Sequence, residues 1–224
     1  MTKLAIVGYG KMGRMIESQA GEYGFTVIAR IDLGDPMEKA LGADVAIEFS
    51  TPHAAVANLL KLADLGIHTV CGTTGWFADL PRVREAFAGG ALVYSPNFSV
   101  GVNIFFKLLE EAARMLEKQQ EYGAWAWEIH HDAKKDSPSG TLLKAVEAMK
   151  AGGYTRHIDI ASSRAGKVPG THEIGFDSAA DTITLRHTAR NREGFARGAL
   201  QAAKWIVGRQ GVHEFSEILF EGGK

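Results

Sequence analysis

The segment Glu128–Thr141, which reads EIHHDAKKDSPSGT, is dense in side chains that can carry chemistry. Its two adjacent histidines and Lys134 are groups that donate or accept protons. Its Ser-Gly-Thr end opens a helical pattern, and the unpaired N–H groups at a helix start bind anions. Proton donors beside anion-binding groups are what a small anionic substrate needs, so this segment is the candidate reaction centre.

Alternation of side chains predicts a strand that leads into this segment. Successive side chains of a strand point to opposite faces. One face would carry Trp125, Trp127, Ile129 and His131, and the other Glu128 and His130. The tryptophans are predicted to pack in a core or a subunit interface, with ligand stacking as the lesser alternative. Because His130 and His131 point apart, we expect no metal site from them and the aspartates that follow.

A helix is predicted to begin near Ser137 or Pro138. A serine cap followed by proline at the first helical position is a recognised start signal. Such a start would present unpaired N–H groups at Gly140 and Thr141, where a carboxylate can bind. Capping alone would also explain the serine and the proline, and the two roles are compatible.

The start of the chain combines a strand pattern, a glycine-rich turn and a helical pattern. The apolar run Leu4–Val7 precedes the turn, and the helical pattern runs from Met12 through Ala20. The turn has the G-x-G-x-x-G spacing that lets the backbone approach a pyrophosphate at a helix N-terminus. It consists of Gly8, Tyr9, Gly10, Lys11, Met12 and Gly13. A strand pattern over Phe25–Ile31 then leads to Asp32, about 20 residues beyond the glycines, where a ribose-binding carboxylate is expected.

Strand and helix patterns continue to alternate through residue 94. Strand patterns cover residues 44–49, 67–71 and 91–94, and helical patterns cover 52–65 and 80–88. Continuous apolar strands separated by helices predict a parallel, doubly wound sheet with helices on both faces, a Rossmann-type fold. This context favours dinucleotide binding over the alternative, an ordinary glycine-rich turn followed by a solvated aspartate.

Ligands of such a sheet bind at the loops that follow the carboxyl ends of its strands. Small polar residues dominate these loops, which cover residues 50–52, 72–75 and 95–98. Their hydroxyl, amide and backbone N–H groups suit a nicotinamide ribose and carboxamide. Residues of this kind are also ordinary turn formers, so each one taken alone has a structural explanation. The predicted cofactor-binding residues in these loops are Gly72, Thr73, Thr74, Ser95, Pro96, Asn97 and Phe98.

After Asn97 the pattern becomes that of a second, α+β domain. A long helical pattern covers residues 103–119, and a last amphipathic helix is predicted over 195–207. The apolar positions of the long helix are Ile104, Leu108, Ala112, Met115 and Leu116. Alternating runs at 157–161, 172–176 and 182–187 are joined by short turns. These runs predict a mixed or antiparallel sheet.

Composition excludes several classes of protein. The formal net charge is -1 and no run of Lys and Arg forms a basic stripe, so nucleic acid is not an expected partner. Cys71 is the only cysteine, which allows neither an internal disulfide nor a cysteine-cluster zinc site and favours the cytoplasm. At a strand end without a histidine pattern, Cys71 is interpreted as a small buried residue. No apolar run approaches the ~20 residues of a membrane span, so no membrane partner is expected.

With these motifs placed, almost the whole chain resembles one family. It closely resembles the 4-hydroxy-tetrahydrodipicolinate reductases, also called dihydrodipicolinate reductases, of bacterial lysine and diaminopimelate synthesis. The most specific part of the resemblance is the pattern E-[IL]-H-H-x-x-K-x-D-x-P-S-G-T, which Glu128–Thr141 matches. Supporting matches are Gly8–Gly13 with Arg14, Gly72–Gly75, Asn97–Gly101, Ser163–Gly166, Gly170 and His172.

The resemblance implies that a nicotinamide cofactor delivers hydride to a cyclic, conjugated imine dicarboxylate while the protein supplies the proton. By family position, His130 is a proton donor or acceptor and Lys134 is the proton-donating lysine. The ordinary pKa of histidine, ~6.5, and the positive charge of lysine suit these roles. His131 matches a substrate-binding histidine, although a satisfied core histidine is the default interpretation of the residue alone. Ser139, Gly140 and Thr141 match the site for the substrate's carboxylates.

The resemblance also implies an arrangement of domains and subunits. In this family the C-terminal segment returns to the nucleotide domain, which predicts a dinucleotide-binding domain of residues 1–98 and 192–224. Residues 99–191 would form the substrate-binding and oligomerisation domain. A strand-rich second domain with Trp125 and Trp127 on one face is consistent with the homotetramer that the family builds through that sheet.

The cofactor is expected to be NADH, NADPH or both. Leu33 follows Asp32 at a position where family members that accept a 2′-phosphate often carry arginine. An acid without that arginine favours NADH through a hydrogen bond to the free 2′-hydroxyl, although Lys11 and Arg30 remain able to neutralise a phosphate. Two other functions stay open: another small NAD(P)-dependent dicarboxylate dehydrogenase, and a non-catalytic NADH-sensing module.

Overall fold

The structure, a computed structural model, describes residues 1–220. The chain divides into two compact units, the first consisting of Met1–Val100 with the chain from Arg192 onward, and the second of Gly101–Asn191. Within residues 1–220, no helix is both long and apolar enough to cross a membrane.

The first unit contains a parallel sheet of six strands, which confirms the predicted Rossmann-type fold class. The strand order is β10-β5-β4-β3-β1-β2. The strands are β1 Thr2–Val7, β2 Phe25–Ile31, β3 Val45–Glu48, β4 His68–Cys71, β5 Ala91–Tyr94 and β10 Gly211–Glu214. The helices are α1 Lys11–Ala20, α2 Pro52–Asp64, α3 Leu80–Ala86, α6 Glu193–Ile206 and α7 Phe215–Phe220.

Both faces of this sheet are buried. On one face, Leu4 and Ile6 of β1 pack in a cluster that includes helix α6. On the other face, Ala5 and Val7 pack with Leu62 of α2. This alternation explains why the strands read as continuous apolar runs: in a sheet covered on both sides, each residue of a strand meets a helix.

Strand β10 was missed by the sequence prediction. Its four residues, Gly-Val-His-Glu, contain a single aliphatic side chain and no alternation that marks a strand. It pairs in parallel with β5, with Val212 opposite Leu92, and extends the sheet by one strand at that edge. Pairing with an existing edge, rather than local propensity, therefore defines this strand.

The second unit contains a mixed sheet of four strands in the order β7-β6-β8-β9. Strands β6 and β7 are parallel, and the other two pairs are antiparallel. The strands are β6 Gly123–His130, β7 Ile158–Arg164, β8 Thr171–Asp177 and β9 Thr182–Thr188. Helices α4 Val100–Leu116 and α5 Gly140–Ala151 pack on one face, where their apolar residues form a core with Ala126 and Ile174 of the sheet.

Helix α4 buries Leu116 of its predicted apolar positions, but otherwise a different stripe from the one that defined its sequence pattern. Phe105, Leu109 and Ala113 lie in the core, whereas Leu108 is 50% and Met115 is 65% exposed. The helix also begins before residue 103 and ends before 119. Two apolar stripes run side by side on this helix, offset by one residue or about 100°. Only packing against the sheet decides which of them is buried.

Candidate active site

The glycine turn of the first unit connects β1 to α1 in the predicted way. Gly8 has a φ of +86°, and a Cβ atom on it would lie 2.2 Å from the carbonyl oxygen of Phe49, so only glycine fits. Gly10, the N-cap of α1, has open space around it. The N–H groups at the start of α1 are therefore accessible to an anionic ligand, as a dinucleotide pyrophosphate requires.

A cleft of about 410 Å³ lies beside this turn in the first unit. Six of the predicted cofactor-binding residues line it: Gly10, Lys11, Met12, Gly72, Thr73 and Thr74. The cleft is also lined by Ser50 and Pro52, from another of the predicted ligand-binding loops, and by Phe49 and Arg192, which the sequence prediction did not include. Arg192 immediately precedes helix α6, at the point where the chain returns to the nucleotide unit. A positively charged side chain at that position is the sequence feature that could have identified it. The glycine turn and this lining fit a nicotinamide dinucleotide.

The remaining predicted cofactor residues lie outside this lining. Tyr9 donates a hydrogen bond to Glu17, and exposed Asp32 accepts one from the backbone N–H of Leu33 at 3.0 Å. The hydroxyl of Ser95 bonds to the backbone of Asn97. Gly8 and Gly13 shape the turn, and Pro96 is exposed. The ring of Phe98 is a core side chain, 4.8 Å from the ring of Phe215, so only its backbone is available to a ligand.

A buried carboxylate that the sequence did not predict supports the cleft. Glu48, at the end of β3, is fully buried. It accepts hydrogen bonds from the backbone N–H and hydroxyl of Ser50 and lies 3.1 Å from the Cys71 thiol. The N–H of Ser50 also reaches the hydroxyl of Thr73 at 2.8 Å. Burial, followed by the charge of Glu48, raises the pKa of Cys71 well above its ordinary value, so this thiol is an inert buried group.

In the second unit, strand β6 presents its side chains as predicted. Glu128 and His130 are buried on the face that packs on the helices, and Trp125 and Trp127 are half-buried on the other. The strand ends at His130, so half-buried His131 lies in the connection that follows.

The predicted helix start near Ser137 was wrong. Helix α5 begins at Gly140, and Ser139 is its cap, with its hydroxyl accepting from the N–H of Leu142 at 3.1 Å. Pro138 therefore precedes the cap instead of occupying the first helical position. Sequence alone could not choose between two serines that lie two residues apart, each suited to capping. The helix start still places Gly140 and Thr141 in its first turn.

Ser139, a predicted substrate-binding residue, is already bonded within the protein. Its side chain is buried, and its hydroxyl, besides capping α5, donates a hydrogen bond to Glu128. Its N–H donates to the same carboxylate at 2.8 Å. Both polar groups of Ser139 are thus bonded within the protein, and the residue shapes the helix start without offering its side chain to a ligand.

Glu128 is the centre of a buried network. Besides Ser139, it accepts hydrogen bonds from Arg164 Nη2 and Ser162 Oγ, each at 3.0 Å. Burial would raise the pKa of Glu128, but the hydrogen bonds from Ser139 and Arg164 outweigh burial and hold this pKa below its ordinary value. The group is therefore an ionised carboxylate near neutral pH.

Two buried histidines face one oxygen of this carboxylate. Glu128 Oε2 lies 3.4 Å from His130 Nδ1 and 3.3 Å from His172 Nε2. Burial is the main cause that lowers the pKa of His130, and Glu128 opposes it. Burial and the neighbouring His130 lower the pKa of His172 to about 4. Both rings are therefore neutral at pH 7. In the sequence His172 is only a supporting match to the family, and it is the pairing of β8 with β6 that places it in the site.

Lys134 lies in the connection between β6 and α5. Its Nζ atom is 2.8 Å from Asp136 Oδ1, and its side chain is 24% exposed. The pKa of Asp136 is lowered first by the hydrogen bond from Lys134 and to a smaller degree by the backbone N–H of Gly140. Lys134 thus already pairs with one carboxylate, that of Asp136, close to the start of α5.

Glu128, His130 and His172 are close enough to be compared with a metal site, with ligand atoms within 4.8 Å of one another. The chemistry of the cluster does not fit a cation. The carboxylate already accepts four hydrogen bonds, and one of them comes from the positive guanidinium of Arg164. A metal ion would have to displace these donors and lie beside a fixed positive charge.

A doubly wound parallel sheet with a glycine-turn cleft, joined to a unit that carries a histidine and lysine segment, is typical of nicotinamide-dependent oxidoreductases. The family described as "Dihydrodipicolinate reductase, N-terminus" matches residues 2–98, and "Dihydrodipicolinate reductase, C-terminus" matches residues 101–219. The chain therefore belongs to the dihydrodipicolinate reductase family.

Individual relatives agree with this assignment. A protein of Christiangramia forsetii named 4-hydroxy-tetrahydrodipicolinate reductase is 35% identical over 233 residues, which cover 96% of this chain and 97% of the relative. A protein of the same name from Archaeoglobus fulgidus is 35% identical and covers 94% of this chain and 96% of its own length. In fold, the chain is similar to a dipicolinate-bound dihydrodipicolinate reductase from Paenisporosarcina sp. TG-14, with a TM-score of 0.83 at 20% identity, covering 97% and 99% of the two chains.

Proposed function

We propose that this chain catalyses the NAD(P)H-dependent reduction of 4-hydroxy-tetrahydrodipicolinate (dihydrodipicolinate) to tetrahydrodipicolinate in lysine and diaminopimelate biosynthesis. The observation that carries this proposal is the carboxylate already bound beside Lys134. Asp136 lies 2.8 Å from the lysine Nζ, and the backbone N–H of Gly140 also lowers the pKa of this carboxyl group, which supports these groups as a carboxylate site next to His130. A dicarboxylate substrate would replace the side chain of Asp136 there.

The residues divide into two tasks. Lys134 is proposed as the proton donor, and His130 as the group that donates or accepts a proton at the ring. Gly140, Thr141 and His131 are proposed to bind the substrate's carboxylates. Loss of the substrate's 4-hydroxyl group as water gives the conjugated dihydrodipicolinate. One of its double bonds is then reduced by a hydride, which a bound nicotinamide would supply with its electron pair, and by the proton from Lys134. Lys134 starts charged, so it can attract the substrate before it gives up its proton.

In the nucleotide unit, the glycine turn and the loops at the strand ends are proposed to hold the cofactor. Lys11 and Arg192 are positive side chains that line the cleft and suit its pyrophosphate. The first unit would then serve as the dinucleotide-binding domain and the second as the substrate-binding and oligomerisation domain. The single cysteine keeps a cytoplasmic location as our expectation.

We lean towards NADH over NADPH. Asp32 is available to bond a 2′-hydroxyl, and Leu33 beside it is fully exposed and cannot bind a phosphate. Arg30, a possible phosphate ligand, is already paired with Glu17, which also accepts from Tyr9. Isothermal titration is expected to show binding of both cofactors with NADH the tighter. Tight NADPH binding without measurable NADH binding would refute this preference.

A homotetramer built through the mixed sheet is proposed from the same family. Trp125 and Trp127 lie half-buried on the sheet face opposite α4 and α5, where large aromatic side chains suit a subunit contact. Light scattering of the purified protein is expected to give four times the chain mass of 24.2 kDa. A monomer at micromolar concentration would contradict this assembly.

The deciding experiment offers the condensation product of pyruvate and aspartate semialdehyde together with NADH or NADPH and follows the loss of absorbance. Turnover with at least one of the two cofactors is expected. If neither cofactor supports turnover, the proposed enzymatic activity is ruled out and the cofactor-sensing alternative is favoured. Turnover of another dicarboxylate alone would favour the other dehydrogenase.

The Lys134→Ala variant tests the proposed proton donor. It is expected to lower kcat by about 10²–10⁴-fold, the usual contribution of a positioned acid, while NADH affinity stays unchanged. Lys135→Ala is the matched control, because it removes an equal charge from the exposed neighbouring residue, and it should keep near-normal turnover. An equal loss in both variants, or a matching loss of NADH affinity, would count against the role of Lys134.

A further inference from the structure

The ring of His130 is enclosed on two sides by groups that fix its orientation. Its Nδ1 atom lies 3.4 Å from Glu128 Oε2. Its Nε2 atom lies over Gly170, where a Cβ atom would approach it to 2.8 Å. Gly170 has a φ of +151°, a conformation that other residues rarely adopt. The two ring nitrogens of His130 therefore face different surroundings, one a carboxylate and the other the backbone of a glycine that lies too close for any Cβ atom.

The charge of Glu128 decides which nitrogen carries the proton. An ionised carboxylate only accepts hydrogen bonds, so a neutral imidazole that faces it is stabilised with its N–H towards the oxygen. The 3.4 Å separation is longer than a formed hydrogen bond, but the attraction acts at this distance. Nδ1 of His130 then carries the hydrogen, and Nε2 carries the free electron pair.

His172 completes the arrangement from the other side. Its Nε2 atom is 3.3 Å from the same Oε2 atom and 3.2 Å from Ser139 Oγ. The Ser139 hydroxyl already donates its own hydrogen to Glu128, so it can only accept from His172. His172 is therefore a donor through Nε2. Because this ring is neutral, its N–H group, which Ser139 Oγ accepts, also faces the carboxylate without adding a second positive charge beside His130.

We propose that Glu128 and His172 are positioning residues which hold His130 in the tautomer whose Nε2 atom exchanges the proton, with Gly170 providing the room that the ring occupies in this orientation. This inference rests on the proposed function only for the identity of the reaction. The charged and titratable groups that act on His130 are Glu128, Lys134, Asp136, Arg164 and His172. Of these, Glu128 is the one whose oxygen faces Nδ1.

Neutron diffraction from crystals of the deuterated wild-type protein would locate the exchangeable hydrogens directly. We expect deuterium on Nδ1 of His130 and on Nε2 of His172. Deuterium on Nε2 of His130 with a bare Nδ1 would overturn the proposal. This measurement needs no substrate, so it decides the tautomer even if the wild-type protein shows no turnover and the proposed function fails.

The Glu128→Gln variant tests the consequence for catalysis. Its amide can turn N–H groups towards both histidines, which removes the preference for hydrogen on His130 Nδ1. We expect kcat to fall by about 10² or more, the low end for loss of a positioned proton-transfer group, with unchanged NADH affinity. The acidic limb of the kcat profile should also move to lower pH, since removing the carboxylate charge lowers the pKa of His130 further.

Glu147→Gln is the matched control, because it makes the same change at a side chain of α5 that is 69% exposed. It should keep the wild-type profile and a kcat within about threefold. Should Glu128→Gln keep the kcat and acidic limb of the wild type, the positioning role is excluded. If kcat of Glu128→Gln falls but the acidic limb of its pH dependence does not shift, this result would also count against the positioning role and would indicate only a loss of packing.

Discussion

The two units each bury one glutamate at or near the carboxyl end of a strand, and the surroundings of the two carboxylates differ. Glu48 in the parallel sheet is bonded to hydroxyl, amide and backbone groups and touches a thiol. Within residues 1–220 it forms no ion pair. Glu128 in the mixed sheet is bonded to Arg164 and faces two histidines.

This difference separates a carboxylate that shapes a loop from one that controls charge. Glu48 fixes Ser50 at the edge of the nucleotide cleft, a task for which a neutral acceptor would nearly suffice. Glu128 fixes Ser139 at the start of α5 and also sets the electrostatic environment of His130, for which its charge is needed. Burial alone therefore does not reveal the role of an acidic residue, whereas the charge of its partners does.

The largest effect is expected for Glu128→Ala. Removing this carboxylate leaves Arg164 without its buried partner, and breaking one side of a buried charge pair costs about 3–5 kcal/mol. Urea unfolding followed by circular dichroism at pH 7 would measure the loss. A change below about 1 kcal/mol, the range of an exposed pair, would mean that Glu128 is no more important than a surface charge.

A smaller effect is expected when the pH is lowered, and it should come from the second unit. His172 has a folded pKa of about 4 against ~6.5 in the unfolded chain, so the unfolded state binds more protons between these values. The contribution of His172 to the free energy of unfolding is therefore fully present above about pH 6.5 and is lost as the pH falls. The loss is about 2 kcal/mol between pH 7 and pH 5. The His172→Asn variant should lose this part of the dependence; the same slope as the wild type would contradict the assignment.

Glu48→Gln should cost less, about 1 kcal/mol, because the amide keeps an oxygen acceptor for Ser50 and no charged partner is left behind. Urea unfolding of Glu48→Gln and Glu128→Ala under the same conditions would compare their free energies of unfolding directly. If Glu48→Gln proves as costly as Glu128→Ala, the distinction between a loop-shaping and a charge-controlling carboxylate fails. An unchanged Kd for NADH would further show that the Ser50 loop keeps its shape.

The smallest effect is expected at a partly exposed carboxylate of the first unit. Glu17 holds Arg30, and exposed ion pairs are weak, so Glu17→Gln should tighten NADPH binding only a few-fold while NADH binding stays the same. Titration of both cofactors against a Glu22→Gln control, which changes a neighbouring acid without this partner, would detect it. No change in the ratio of the two Kd values would show that Arg30 does not reach the 2′-phosphate.

Much of the first unit could be predicted from sequence because its signals are local. Strand β2 and strand β5 have the predicted bounds, and the glycine turn lies where the spacing placed it. The missed strand β10 and the wrong stripe of α4 share one cause. Each depends on a partner surface that is distant in sequence, the edge of β5 in one case and the mixed sheet in the other.

The sequence by itself determined the fold class, the family and the composition of the reactive segment, because each is encoded in residue types at fixed spacing. Tertiary structure alone decided that Ser139 is a cap with no free hydroxyl, that Arg192 lines the cleft and that His172 shares a carboxylate oxygen with His130. The physical reason is that hydrogen bonding and burial depend on atoms brought together by strand pairing. His172 lies 42 residues after His130 in the chain, and only the antiparallel pairing of β8 with β6 makes the two rings neighbours, 5.1 Å apart.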